Sequence, residues 1–201
     1  MTATAVHGHG PAAWPPDAQY GAATPGKIGM WIFLLSDAFS FGGLLIAYGI
    51  LRERAEPWIA QGEPELGIPF TAALTFLLIS TSLTNVLAWA AAAEERRRAA
   101  AALLALTGLG GALFLVGQYY EWTHLIHEGL VFGRSPRAST FYVVTGFHGL
   151  HVLVGVLYIF TVLAQYVRGR ATAHHVELLG LYWCFVDFVW IFVFSLVYLM
   201  P

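Results

Sequence analysis

Apolar residues in this chain fall into long unbroken runs rather than alternating with polar ones. Five runs, Ile28 to Leu51, Ile68 to Ala93, Ala99 to Tyr120, Phe141 to Val167 and Val176 to Met200, are separated by short polar breaks. A helix needs about 20 apolar residues to cross roughly 30 Å of hydrocarbon, and each run meets that length. Lipid offers no partner for backbone N–H and C=O groups, so a spanning segment is a helix or a strand of a closed barrel. These runs lack the period-two alternation of barrel strands. The pattern predicts an all-α fold, an integral membrane bundle of five transmembrane helices spanning 28–51, 68–93, 99–120, 141–167 and 176–200, in a domain covering 27–201.

The breaks carry turn residues. Pro57, Pro64 and Pro69 punctuate the first, Glu94 to Arg98 form a charged hairpin, Pro136 sits in the third, and Arg168 to His175 close the last. No repeat of 20 to 50 residues is visible, nor an inverted pair of Gly/Pro-interrupted spans of the kind secondary transporters carry. Residues 1–26, rich in Ala, Pro, Gly and His, lack a charged leader and an apolar core, and read as a disordered, uncleaved cytoplasmic tail in which His7 and His9 are solvated.

Composition supports the membrane reading and narrows the chemistry. Of 201 residues, 58% are hydrophobic and only 11% charged, against about 25% charged in a soluble domain; the mean hydropathy is +0.65. The net charge of −2 and the scattered basic clusters give no purchase for nucleic acid. The single cysteine, Cys184, excludes an intrachain disulfide and any cysteine-based metal motif. Six of the ten Lys and Arg residues, Lys27, Arg96, Arg97, Arg98, Arg168 and Arg170, fall on the amino-terminal side, against Arg52, Arg54, Arg134 and Arg137 on the other. The positive-inside rule then predicts a cytoplasmic amino terminus and an external carboxyl terminus.

Polar residues inside the runs are the candidates for function, because charges at bilayer depth are rare and costly. Counting about 1.5 Å per residue puts Asp37 about 14 Å, His151 about 15 Å and Asp187 about 17 Å below the start of their spans. His148 lies one helical turn before His151, and all of these groups are expected to face the bundle interior. Ser36, Ser40, Gly43 and Ala47 recur at helical spacing beside Asp37 as a small-residue stripe that another helix can approach closely. On the last span Trp183, Asp187, Trp190 and Phe194 recur in the same way, a packing seam in which an indole N–H is expected to reach the carboxylate. No other span holds histidine at depth to complete a bis-histidine haem, and the paired Glu-x-x-His motifs of di-iron bundles are missing. His124, His127, His174 and His175 fall near span ends, and no phosphate loop, nucleophile elbow or HExxH motif occurs. No catalytic residue and no metal ligand is assigned to this chain.

Four segments together are similar to subunit III of the haem-copper respiratory oxidases, in the short form that keeps only the last five spans. They are Trp31 to Tyr48 with its Ser36-Asp37 pair, Gln118-Tyr119-Tyr120-Glu121, Ser139 to His151 ending in His148-Gly149-Leu150-His151, and Tyr182-Trp183-Cys184-Phe185-Val186-Asp187. The resemblance covers the chain from about Lys27 onward. It implies an accessory subunit without haem or copper of its own, packed against subunit I, where oxygen is reduced to water and protons are pumped. Subunit II and a small subunit IV belong to the same implied complex, in the bacterial inner membrane. The resemblance further implies structural phospholipids in a cleft, support of proton uptake, and protection of the catalytic site from inactivation in turnover. Asp37 takes the place of the usual intramembrane glutamate with a side chain one methylene shorter, and Cys184 replaces a usual histidine. Glu177 matches an acidic position common in cytochrome c oxidases, which favours cytochrome c over quinol as the electron donor.

In this reading Asp37, Glu121, His148, His151 and Asp187 make polar contacts that set helix register, with Glu177 at the mouth of the last span, and Arg96, Arg97, Arg98, Arg168 and Arg170 attract anionic lipid headgroups. Alternatives stay open: a quinol oxidase, a partner of nitric oxide reductase, an independent metalloenzyme drawing ligands from His148, His151, Asp37 and Asp187, or a transporter using Asp37 and His151 as a proton relay.

Overall fold

A computed structural model describes residues 24–200. Five helices, each long and apolar enough to cross a membrane, make up the described chain: α1 (Pro25–Arg54), α2 (Ile68–Ala93), α3 (Arg97–His127), α4 (Pro136–Val167) and α5 (Ala173–Val193), the last continued by a π-helical turn, Phe194–Tyr198. No strand occurs among the described residues, so the fold is the all-α bundle the hydrophobic runs predict. The expected tail with His7 and His9 lies, as far as residue 23, outside the described residues, as does Pro201.

α2 coincides with its apolar run, and the other helices extend beyond theirs at one end or both because helical backbone continues through the polar residues at the membrane boundary. At α1 the Thr24 hydroxyl accepts from the Lys27 amide at 3.3 Å and Pro25 occupies the first helical position, a pairing that satisfies an orphan donor and presets φ. Ser135 and Pro136 start α4 in the same way, with Ala138 N donating to Ser135 Oγ at 2.9 Å. α3 runs seven residues past Tyr120, carrying His124 and His127 on its final turns; His124 Nε2 lies 3.3 Å from the Glu128 carboxylate. α5 begins at a reciprocal cap in which the Thr172 amide donates to His175 Nδ1 at 3.2 Å. Its far end departs from the single α-helix expected over 176–200: the backbone widens into a π turn closed by Leu199 N to Phe194 O at 3.3 Å.

The α2–α3 hairpin is three residues long. Glu95 takes a left-handed φ of 58° and Arg96 N returns to Ala91 O at 2.9 Å, a Schellman-type closure. At the opposite end Arg137 clamps the α1–α2 loop, with Nε 3.1 Å from Glu63 Oε2 and an η nitrogen 2.7 Å from Pro64 O, while Arg134 donates to Gln61 O and Gly129 O.

α2, α3, α4 and α5 enclose the core, and α1 lies along the α4–α5 edge as the least buried span. The centre is Trp183, fully buried between Gly111 of α3 and Gly155 of α4. A Cβ at Gly111 would come 2.6 Å from the Trp183 ring, and one at Gly155 2.8 Å. Glycine is required at both positions, because only a bare α-carbon admits the indole.

Candidate functional site

The polar side chains at depth form three separate constellations. The first joins α1 to α4. His151 Nδ1 donates to Phe147 O at 2.7 Å, and Nε2 lies 3.1 Å from Asp37 Oδ2, an ion-pair distance off hydrogen-bond alignment. A carbonyl oxygen only accepts, so Nδ1 carries a hydrogen. Nε2 is left facing the Asp37 carboxyl, the polar contact that joins α1 to α4. Phe41 packs on the His151 ring at 5.0 Å and on Phe147 at 4.8 Å, covering the pair.

The second constellation is centred on Glu121 near the far end of α3. Its carboxylate accepts from Thr71 Oγ1 at 2.6 Å, Gln118 Nε2 at 3.0 Å and Tyr198 OH at 2.9 Å, tying α2, α3 and the π turn together. The third lies on the α2–α5 seam, where Ser82 donates to Asp187 Oδ2. The expectation that an indole would serve Asp187 is corrected here: Trp183 Nε1 donates to Thr81 Oγ1 and Trp190 Nε1 to Thr75 Oγ1, both at 2.9 Å. The two rings rise from faces of α5 that meet the α2 threonines, and the carboxylate is left to the serine one residue on.

His148 takes no part in any of these. It is fully buried, neither ring nitrogen is hydrogen-bonded, and it packs as an aromatic, 4.6 Å from the Trp190 ring and edge-on to Phe114 at 6.1 Å. A separation of three residues on a helix turns side chains about 60° apart, enough to send His151 to α1 and His148 into the core. Four ligands drawn from His148, His151, Asp37 and Asp187 therefore do not converge, and among the described residues no group of three or more His, Cys, Asp or Glu side chains does.

The Ser36, Ser40, Gly43, Ala47 stripe lies on the outside of the bundle. All four are exposed, because α1 buries its Leu34, Phe41 and Tyr48 face instead. At the amino-terminal end of the bundle, Glu177 is held by Lys27 at 2.6 Å and flanked by His174 at 3.5 Å. The hairpins bring the arginines to the same end: Arg96, Arg97, Arg98, Arg168 and Arg170 are all exposed, with Arg96 paired to Glu94 at 2.7 Å. Between α1, α2 and α5 opens an apolar cleft of about 600 Å³.

Sequence reasoning missed the partners on α2. Thr71, Thr75, Ser82 and Asn85 recur at spacings of four, seven and three, a polar stripe within an apolar span, and that periodicity was the available signal. It also missed the buried Glu63–Arg137 pair, which no local pattern announces.

The class so defined is a multi-pass membrane helix bundle in which Asp37, Glu121 and Asp187 at depth meet side chains of neighbouring helices. The sequence profile of the family described as Cytochrome c oxidase subunit III matches residues 20–201. Cytochrome c oxidase subunit 3 of Synechocystis sp. is 39% identical over 179 residues, covering 86% of this chain and 74% of that protein. Its counterpart in Bacillus sp. strain PS3 is 32% identical over 193 residues, 93% of both chains, and cytochrome bo(3) ubiquinol oxidase subunit 3 of Pseudomonas aeruginosa is 34% identical over 175 residues, 86% of this chain and 83% of that one. The chain belongs to the cytochrome c oxidase subunit III family, and is a non-catalytic component of a haem-copper respiratory oxidase complex.

Proposed function

We propose that this subunit stabilises the haem-bearing subunit I by packing its α1 flank against it, and sustains proton uptake through many turnovers, in a complex that also holds subunit II and a small subunit IV. The observation that carries the reading is the exposed face of α1. Ile32 and Phe39 are bare apolar side chains beside the Ser36, Ser40, Gly43, Ala47 stripe, and a Cβ at Gly43 would meet nothing within 4 Å. Small residues let a partner helix approach to van der Waals contact, which is the chief attraction between helices in lipid. The internal pins Asp37–His151, Glu121–Tyr198 and Ser82–Asp187 hold the bundle in register behind that face.

The exposed arginines at the amino-terminal end attract anionic phospholipid headgroups at about 1 kcal/mol each, consistent with that end facing the cytoplasm of a bacterial inner membrane. Cytochrome c is the proposed donor to the complex, on the acidic Glu177 position and on the names of the cytochrome c oxidase relatives. Relatives named quinol oxidase subunit 3 support quinol as the second reading. Bulky residues on the stripe, Gly43→Leu with Ala47→Leu, are expected to reduce copurification of the haem subunit while leaving the five helices folded. Undiminished copurification would move the docking face elsewhere. Oxygen uptake with reduced cytochrome c against quinol decides the donor.

A further inference from the structure

At the end of the bundle opposite the amino terminus, a groove of about 480 Å³ lies between the end of α1 and the start of α4, lined by Arg54, Glu56, Pro57, Arg134, Ser135 and Pro136. Its charges are unanswered within the chain. Arg54 and Glu56 are exposed, and among the described residues neither makes a hydrogen bond or an ion pair. Arg134 is held in place: one η nitrogen donates to Gly129 O at 2.6 Å and the other to Gln61 O at 3.0 Å. Both acceptors are neutral carbonyls, so the guanidinium keeps its full charge and has N–H donors to spare. Ser135 is only 7% exposed; its hydroxyl oxygen accepts from Ala138 N at 2.9 Å, and its hydrogen is given to no group among the described residues. The start of α4 adds the positive pole of a helix 32 residues long.

Depth identifies what meets these charges. The first apolar run ends at Leu51, and Arg54 stands three residues on, about 4.5 Å along the axis; Pro136 precedes Phe141, where the fourth run opens, by five residues, about 7.5 Å. Headgroups fill a layer roughly 5–8 Å deep on each side of the hydrocarbon, half the difference between about 40–45 Å and about 30 Å. Both walls of the groove stand in that layer. A phosphodiester brings one negative charge and two open oxygens, which a guanidinium fork meets with paired N–H bonds. Glu56 would repel a bare anion, whereas a headgroup with an amine beside its phosphate gives that carboxylate a partner as well.

We propose that this groove seats the headgroup of an amine-bearing phospholipid, phosphatidylethanolamine, with its phosphate between Arg54 and Arg134, the Ser135 hydroxyl donating to it, and its ammonium on Glu56. α1 is the least buried span, and a headgroup held by both walls ties its end to the start of α4. The groove is distinct from the apolar cleft and from the arginines at the amino-terminal end of the bundle. Arg54 falls seven residues after Ala47 and so on the same helix face, which puts the lipid at the outer edge of the α1 stripe. The assignment does not require that stripe to meet the haem subunit.

The test uses the purified intact oxidase and a phosphatidylethanolamine with a photoreactive diazirine beside one acyl ester, cross-linked peptides being mapped by mass spectrometry. Label is expected on residues 51–57 and 134–141, displaced by unlabelled phosphatidylethanolamine and not by inorganic phosphate. Arg54→Gln, which removes no contact within the chain, should lower the labelling about tenfold, the low end for a hydrogen bond to a charged group. Glu56→Gln should weaken phosphatidylethanolamine several-fold while phosphatidylglycerol competes as well as before or better. Label absent from these segments, or unchanged in Arg54→Gln, overturns the site. Displacement by inorganic phosphate gives the groove to a free anion and overturns the headgroup; Glu56→Gln strengthening both lipids alike overturns the amine. Copurification of the haem subunit is read on the same sample, so failure of the proposed docking face shows separately from failure of the groove.

Discussion

Replacing Asp37 by asparagine and by alanine separates the polar contact between α1 and α4 from the charge of the carboxylate. In the native pair His151 Nε2 and Asp37 Oδ2 lie 3.1 Å apart, while Nδ1 is committed to Phe147 O. Asparagine has nearly the same shape and supplies an N–H of its own toward Nε2, so Asp37→Asn keeps a polar contact there without the carboxylate. Alanine leaves Nε2 facing nothing. Polar contacts between helices in lipid are worth about 0.6–2 kcal/mol, and the truncation adds the packing lost beside Phe41. We expect Asp37→Asn to stay within about 1 kcal/mol of the native chain and Asp37→Ala to lose about 1–3 kcal/mol. At roughly 2–4 °C per kcal/mol for a chain of this size, the temperature at which the subunit leaves the purified oxidase should fall by several degrees in the alanine variant only. Haem content is unchanged in both, and the alanine variant should inactivate sooner in turnover. Equal destabilisation by asparagine and alanine would refute the reasoning, because it would make the charge, and not a donor to Nε2, the source of stability.

Gly155→Ala places a Cβ 2.8 Å from the Trp183 ring, an overpacking cost of about 1–3 kcal/mol that outweighs alanine's helix propensity, whereas Gly149→Ala, with nothing within 4 Å, should be neutral or slightly stabilising; thermal denaturation of the complex compares them. Tyr198→Phe removes one of the three donors to Glu121 and should cost about 1 kcal/mol in the same measurement. Arg137→Met leaves the Glu63 carboxylate buried without its partner and should cost about 3–5 kcal/mol, with faster proteolysis of the 55–67 loop as the readout. Lys27→Ala breaks a half-exposed pair with Glu177 and should change stability by less than about 1 kcal/mol, an effect that salt erases.

The number of helices, their approximate bounds and the membrane setting follow from the runs themselves, since the hydrocarbon thickness fixes a length and the lack of backbone partners in lipid fixes a helix. The polar residues that join helices at depth were legible for the same reason: Asp37, Glu121, His151 and Asp187 are costly in lipid and need partners there. What they touch was not. Periodicity gives a face of one helix but not the helix opposite it, so the pairing of Asp187 with Ser82, of the indoles with Thr75 and Thr81, and of Glu121 with Tyr198 across 77 residues of sequence emerged only from the packed bundle. The outward turn of the Ser36 to Ala47 stripe and the parting of His148 from His151 have one origin. In a bundle each residue's surroundings are set by how whole helices are rotated against one another, and that rotation is decided by side-chain volumes, above all Trp183 seated on Gly111 and Gly155, that no single helix contains.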